Sequence, residues 1–380
     1  MIKKSQLSGF AQRADKIIGA LRNGRRFLPL GLAFGLPQLL RAENHVDYRY
    51  EFYGEENDRM KIETHSVYFE QKLSDAVVAK GELIYDGISG ATPRGVTDPN
   101  VVDHLRDTRW AGNVALDWSF KNHLLTPSFA YSKENDYESY SISLNDAISF
   151  NDKNTTFQYG LAHNFDSVRF TDGKNWLGKD TTEGMIGISQ LLTPSTVMSA
   201  NLTLGYEDGY LSDPYRLSQF TTFGFAFNEK RPGYKSKEVA LVSVTQYFEK
   251  LHASIEGSYR FHHDSFDVSS HTAELTWHQW LGKHVILEPM FRYYNQSEAD
   301  FYAVNFPGIT PSGGNYFSSD YRLSNLYSLD YGLQATFIVT DWLRLNAGYH
   351  RYEMFGLDGK TADGMYPKAN IFTVGFSIQW

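Results

Sequence analysis

The sequence predicts an all-β protein, a transmembrane antiparallel β-barrel of about sixteen strands with fourteen to eighteen allowed. Three observations predict it. Aromatic residues make up 15% of the chain, with 25 Tyr and 26 Phe, yet mean hydropathy is −0.42. Beyond residue 42 no apolar run approaches the roughly 20 residues that a membrane helix needs. The body instead alternates apolar and polar residues with a period of two, which sends every second side chain to one face of a strand. Finally, every second connection between such segments is one to three residues long while the others are long, the one-sided asymmetry of an outer-membrane barrel.

The first 42 residues stand apart. Residues 1–26 carry Lys3, Lys4, Arg13, Lys16, Arg22, Arg25 and Arg26 against one acid, Asp15, and "FLPLGLAFGLPQLL" (27–40) follows, then "RA". A basic region, a short apolar core and a small final residue describe a signal peptide, here 1–42, cleaved after Ala42. Its removal takes eight of the 36 Lys/Arg and one of the 44 Asp/Glu, leaving residues 43–380 as the barrel with a net charge of about −15. An acidic surface of that kind argues against nucleic acid as a partner. Cysteine is absent, so no disulfide framework or thiolate metal site exists.

Strands are expected near 46–53, 60–73, 76–86, 108–120, 123–132, 138–150, 154–165, 182–192, 196–207, 237–249, 251–262, 270–281, 284–295, 321–339, 342–354 and 369–380. In "TRWAGNVALDWSF" (108–120), Trp110, Val114, Leu116, Trp118 and Phe120 share one face, and Arg109, Asn113, Asp117 and Ser119 the other. "TTFQYGLAHNF" (155–165) and "HASIEGSYRF" (252–261) alternate in the same way. Short turns fall at 74–75, 121–122, 151–153, 193–195, 250, 282–283 and 340–341. Long loops fall at 87–107, 166–181, 208–236, 296–320 and 355–368, and an even strand count puts both termini on the short-turn, periplasmic side. The segment "FTTFGFAF" (220–227) reads as a strand pair or an infolded loop.

The last strand, "NIFTVGFSIQW" (370–380), places Phe372, Val374, Phe376 and Ile378 on one face and ends on Trp380. A terminal Trp suits a lipid–water interface, where aromatic rings are favoured. Phe376, Ile378 and Trp380 also resemble the signal read by the outer-membrane assembly machinery.

Chemistry is sparse. No HExxH, GxSxG, P-loop or EF-hand pattern occurs, and no Ser, His and acid set is visible on the lipid face. No catalytic residue and no cofactor are therefore assigned, and the protein is not expected to be an enzyme. His262, His263 and His271 flank a short outer loop and are the metal candidates, although a polar loop with interfacial histidines outweighs a metal site. Arg109, Asp117, Glu256, Arg260, Glu274, Glu288 and Arg292 fall on the expected inner face, where charged side chains tune which ions and solutes pass.

Several segments resemble a family of bacterial outer-membrane proteins catalogued only as a domain of unknown function. They are "GYLSDPYRL" (209–217), "RP" (231–232), "SYRFHHDSFDVSSHTAEL" (258–275), "PMFRYYNQSEADFY" (289–302) and "SSDYRLS" (318–324), with an earlier stretch at 46–93. The resemblance singles out Asp213, Tyr215 and Arg216 in the loop at 208–236, the fifth of all the connections on the long-loop side, and Arg292, Gln296, Asp300, Asp320 and Arg322 around the seventh, at 296–320. It implies the outer membrane of a Gram-negative bacterium. It also implies the company of thioredoxin-like and flavin-attaching proteins, and so a periplasmic redox partner. The function expected is a porin-like channel or transport-related pore for small solutes. The alternative is a closed barrel scaffold docking a periplasmic or surface partner, and a membrane-embedded enzyme ranks third.

Overall fold

The structure, a computed structural model, describes residues 44–380 apart from 58, 96–101, 170–173, 223, 309 and 312, with backbone alone at 102–105. The expected signal segment, 1–42, lies outside the described residues. Chain order begins with β1 (His45–Glu55), β2 (Lys61–Lys72), β3 (Val77–Pro93), β4 (Val102–Phe120), β5 (His123–Lys133), β6 (Tyr137–Phe150), β7 (Thr155–Arg169), β8 (Trp176–Thr193) and β9 (Thr196–Gly209). A small hairpin follows, β10 (Leu217–Phe220) and β11 (Phe225–Asn228), then β12 (Tyr234–Phe248), β13 (Ala253–Asp264), β14 (Ser269–Leu281) and β15 (Val285–Gln296). The two-residue β16 (Asn305–Phe306) precedes β17 (Leu326–Ile338), β18 (Leu343–Gly356) and β19 (Lys368–Gln379). No helix among the described residues is long and apolar enough to cross a membrane, which is silent on crossing by strands.

Sixteen strands close into an antiparallel barrel, each paired with its chain neighbour apart from the excluded β10, β11 and β16. Closure is made by β1 against β19, in unbroken register from His45 opposite Gln379 to Glu55 opposite Ala369. The backbone N–H of Trp380 adds a last bond to the Asn44 carbonyl at 2.9 Å. Closure removes every sheet edge, which lipid would otherwise leave without hydrogen-bond partners.

The faces follow the alternation of the sequence. Leu161 is 67% exposed, Leu83 65% and Trp110 63%, whereas Thr64, Asp86, Gln158, Glu183, Thr245 and Glu288 are buried. This is an inside-out protein, apolar outside and polar within. Aromatic pairs on the outer face gather toward the long-loop end, Tyr85 with Trp110 at 4.8 Å and Tyr131 with Tyr140 at 4.9 Å between ring centres. Trp118, Phe120, Phe150 and Phe248 mark the short-turn end. The turn at 151–153 runs through three left-handed residues, Asn151, Asp152 and Lys153, a conformation that Asn and Asp tolerate best among residues with a Cβ.

Three expectations change. The strand expected at 321–339 begins at Leu326, because Tyr321–Leu323 form a single 3-10 turn capped by the Asp320 side chain, which accepts from the Arg322 N–H. The segment 220–227 is a true strand pair, but it forms a separate sheet with β16 and leaves the barrel at sixteen strands. Strands β3, β4, β7 and β8 run beyond their expected outer ends. Once a strand rises past the lipid both faces are wet, and apolar alternation no longer marks it.

Candidate functional site: the outer mouth

Loops five and seven, the connections β9–β12 and β15–β17, meet over the long-loop end of the barrel and fold into a cap. Phe220 stacks on Phe306 at 5.5 Å and meets Phe227 and Phe317 edge-on at 5.5 and 5.4 Å, giving the three-stranded sheet of β10, β11 and β16 an apolar centre. Lys230 and Phe317 exchange both backbone hydrogen bonds, at 3.0 and 2.9 Å, which ties loop seven to loop five.

The cap spans the mouth. Loop five leaves the barrel between β9 and β12, yet the Leu217 N–H bonds the Arg94 carbonyl at 2.7 Å, at the outer end of β3. Around the barrel five strands separate β3 from β9 on one side and eight separate it from β12 on the other. Arg216 completes the attachment, donating to the Pro93 carbonyl and, at 3.2 Å, to Thr92 Oγ1. Tyr215 donates its hydroxyl to Asp136 in the turn between β5 and β6. The loop therefore bridges nearly opposite rims.

At the centre of the cap is one carboxylate. Asp320 is 1% exposed; Arg322 Nε donates to both its oxygens at 2.9 Å, Arg231 Nη2 lies 2.8 Å away, and Arg216 Nε stands at 3.9 Å. Asp213 and Glu229 balance the three guanidinium groups. Arg322 also donates to Asp213, and Arg231 Nε stands 2.7 Å from Glu229 Oε1. Glu229 in turn accepts from the Asp213 N–H at 2.5 Å and from the Ser318 hydroxyl. The Arg216 guanidinium lies over the Tyr321 ring at 5.6 Å, a cation–π contact.

Burial works against the charge of Asp320, but Arg322, Arg216 and Arg231 hold its carboxyl well below the ordinary range. Asp213 is also lowered: burial opposes, and Arg322 and Arg216 prevail. For Glu229 the balance tips the other way, burial outweighing Arg231 and raising its carboxyl. These groups form a closed ionic knot in which each charge has a counter-charge, as buried ions require.

The sequence-derived candidates divide. Asp213, Arg216, Asp320 and Arg322 converge on the knot, and Tyr215 joins the cap to the rim. Gln296 holds the foot of loop seven, donating to the carbonyls of Arg322 and Ser324 at 2.8 and 2.9 Å. Arg292 stays on the barrel wall, paired with Glu274 at 2.7 Å, and Asp300 is exposed in a cleft beside Asp267, Glu298 and Asp358. Glu229, Arg231 and Ser318 belong to the knot without having been singled out. The "RP" at 231–232 was the available signal for the arginine and "SSDYRLS" (318–324) for the serine; nothing local marks Glu229.

The histidines do not gather. Adjacent strand residues face opposite ways, so His262 shares the inner face with Asp264, 3.2 Å away, and His263 points outward, where it bonds Ser269 at 3.0 Å. His271 bonds the Tyr259 hydroxyl at 2.6 Å. Among the described residues the acids that crowd together are Asp107, Glu134 and Asp136, whose oxygens lie within 4.8 Å of one another at the rim under Tyr215.

On the inner wall near the short turns, His278 Nδ1 lies 2.7 Å from Glu288, and Ser254 is the residue opposite His278 on β13. This is the order of a nucleophile, base and acid set. However, Ser254 and His278 are each 1% exposed, and neither Ser254 Oγ nor His278 Nε2 makes a hydrogen bond. The arrangement packs the wall and offers no access to a substrate. At the barrel seam Phe376 lies 5.4 Å from Tyr48, and Ile378 is opposite Val46.

Comparison with solved structures finds outer-membrane barrels. CdiB from Acinetobacter baumannii superposes with a TM-score of 0.52 at 10% identity, over 88% of this chain and 60% of that one. A bacterial polysaccharide outer membrane secretin gives 0.47 at 10% identity over 90% and 99%, and the siderophore receptor PirA from Pseudomonas aeruginosa gives 0.43 at 9% over 89% and 61%. The chain spans about three fifths of the length of CdiB and PirA. At these identities the likeness concerns the barrel fold alone. Comparison with curated proteins returns no match. A family model does match, over residues 96–177 and 168–378, leaving the similar stretch at 46–93 outside it. The chain belongs to the family described as "Protein of unknown function (DUF3570)".

Proposed function

We propose that this outer-membrane barrel is a pore for small solutes, with a preference for cations. The observation that carries the reading is the inner wall, which is polar and ionised around the barrel. Lys80 pairs with Asp117 at 2.5 Å, Arg109 with Asp86 at 2.5 Å, Lys237 with Glu183 at 2.5 Å and Arg292 with Glu274 at 2.7 Å. Acids outnumber bases on this wall, Glu51 and Glu256 adding to the paired carboxylates, and an excess of one sign favours counter-ions in a water-filled passage. A barrel of this strand count has room for such a passage. The cap would narrow its outer mouth.

The cap also favours a second reading, a barrel closed at that end that serves as a scaffold for a periplasmic or surface partner, a redox protein among them. Single-channel recording of refolded 43–380 in a planar bilayer across a salt gradient separates the two. Stable steps with a cation-side reversal potential are expected. A folded, heat-modifiable barrel that never conducts would leave the scaffold.

A further inference from the structure

The bonds that hold the cap to the far rim differ in kind from those inside it. Within the cap, Asp320 keeps its charge because three arginines surround it, so the carboxylate at the centre of the knot stays ionised well into acid. At the rim, Tyr215 donates to Asp136, whose carboxylate shares its space with those of Asp107 and Glu134. Around Glu134 stand Arg109 and Asp107 of β4, Asp86 of β3, Asp136 of its own turn, Tyr137 at the start of β6 and Tyr215 of the cap. The one base among them, Arg109, is already engaged with Asp86 at 2.5 Å. Asn135 turns its amide to Asp107 at 2.5 Å and adds no charge.

We infer that the cap is a lid, latched to the far rim by Tyr215 on Asp136 and by Arg216 on Pro93 and Thr92, and that the carboxyl trio Asp107, Glu134 and Asp136 makes this latch hold in acid and loosen in alkali. The inference deepens the pore reading by giving its mouth a regulation, and rests on that reading for any effect on flux. The latch itself is a property of the loops.

The sign follows from Glu134. Burial pushes its carboxyl up, Arg109 opposes this, and Asp107, Asp136 and Asp86 add to the rise, the outcome being about 7. A carboxyl raised in the closed state disfavours that state increasingly as pH climbs from the ordinary value toward the raised one, and the cost is complete above it. Below about 7 Glu134 holds its proton and can donate to a neighbouring carboxylate. Above it a third negative charge enters the group, and separation of the cap from the rim relieves the crowding by letting water in.

The native chain lacks cysteine, so a single Thr92→Cys reports on the latch; it forfeits the 3.2 Å bond from Arg216 in every variant alike and leaves Tyr215 on Asp136 and Arg216 on Pro93 in place. Labelling of full-length Thr92→Cys by a charged maleimide is compared, pH by pH, with Thr92→Cys/Glu134→Gln, whose thiol shares the same intrinsic titration. The ratio of the two rates is expected near one at pH 6 and to rise about threefold or more by pH 8.5 as the open population grows. A flat ratio overturns the inference. Thr92→Cys/Tyr215→Phe supplies a second test should the glutamine variant fail to assemble: it lacks the hydroxyl donor and is expected to label fast at every pH, and labelling as slow and as pH-dependent as Thr92→Cys alone would also overturn the inference. Labelling does not require conduction, so a barrel that never conducts would sink the pore reading while leaving this result standing.

Discussion

Asp320 Oδ2 lies 2.8 Å from Arg231 Nη2, joining loop seven to loop five through a carboxylate that also holds Arg322 and faces Arg216. Removing one member of such a buried set strands the others. Asp320→Asn is expected to destabilise the cap by about 3–5 kcal/mol while the barrel persists. Trypsin provides the measurement, since Arg216, Lys230 and Arg322 are cleavage sites, whereas Pro232 blocks cutting after Arg231. The native cap should resist and the variant should be cut in loops five and seven; equal resistance would mean that the knot does not hold the cap.

The two faces of a single hairpin should respond unequally to charge. Leu161 is 67% exposed near the middle of β7, on the face that meets lipid. Leu161→Arg is expected to cost about 2–4 kcal/mol in a bilayer. Ser141→Arg, on the inner face of the neighbouring β6, should cost about 1 kcal/mol or less. Urea unfolding from vesicles compares them, and equal losses would contradict the assignment of faces.

Lys80 stands between Asp117 at 2.5 Å and Glu70 at 3.9 Å on the inner wall. If solutes pass here, Lys80→Gln should move the reversal potential toward ideal cation selectivity, and Asp117→Asn should move it back. Both variants at the native reversal potential would place the conducting path elsewhere.

Trp380 is 62% exposed and adds only a backbone bond to the seam. Trp380→Ala is therefore expected to refold in detergent with native heat-modifiability, yet to lower the assembled fraction in cells severalfold. Phe376→Ala, which also strips the contact with Tyr48, should impair both. Normal assembly of both variants in cells would remove these residues from the assembly signal.

The barrel was legible in the sequence because its determinants are local. "TRWAGNVALDWSF" declares a strand and its two faces unaided, and the turns "SD", "KN" and "GK" declare which end is which. Where lipid no longer enforces alternation, the reading stopped short: β3 continues to Pro93 and β4 starts at Val102, in residues whose both faces are wet. The strand expected from 321 failed for a related reason. Tyr321–Leu323 are drawn into a capped turn by Asp320, and the arginines that fix Asp320 come largely from another loop.

The candidate site was half legible. The motifs containing Asp213, Arg216, Asp320 and Arg322 pointed to the right loops, but Asp213 and Arg322 are 109 residues apart when they meet. Glu229 carried no signal at all, and Ser318 only its place at the head of the "SSDYRLS" motif. The sequence by itself determined the alternating strands, their two faces and a count of about sixteen, since a period of two and a turn length are set by neighbouring residues in contact with lipid or water. Only the tertiary structure decided that loops five and seven close over the mouth, which charges pair there, and that Tyr215 comes to rest on an acidic rim. Those partners are chosen through space, by the requirement that every buried charge find its opposite.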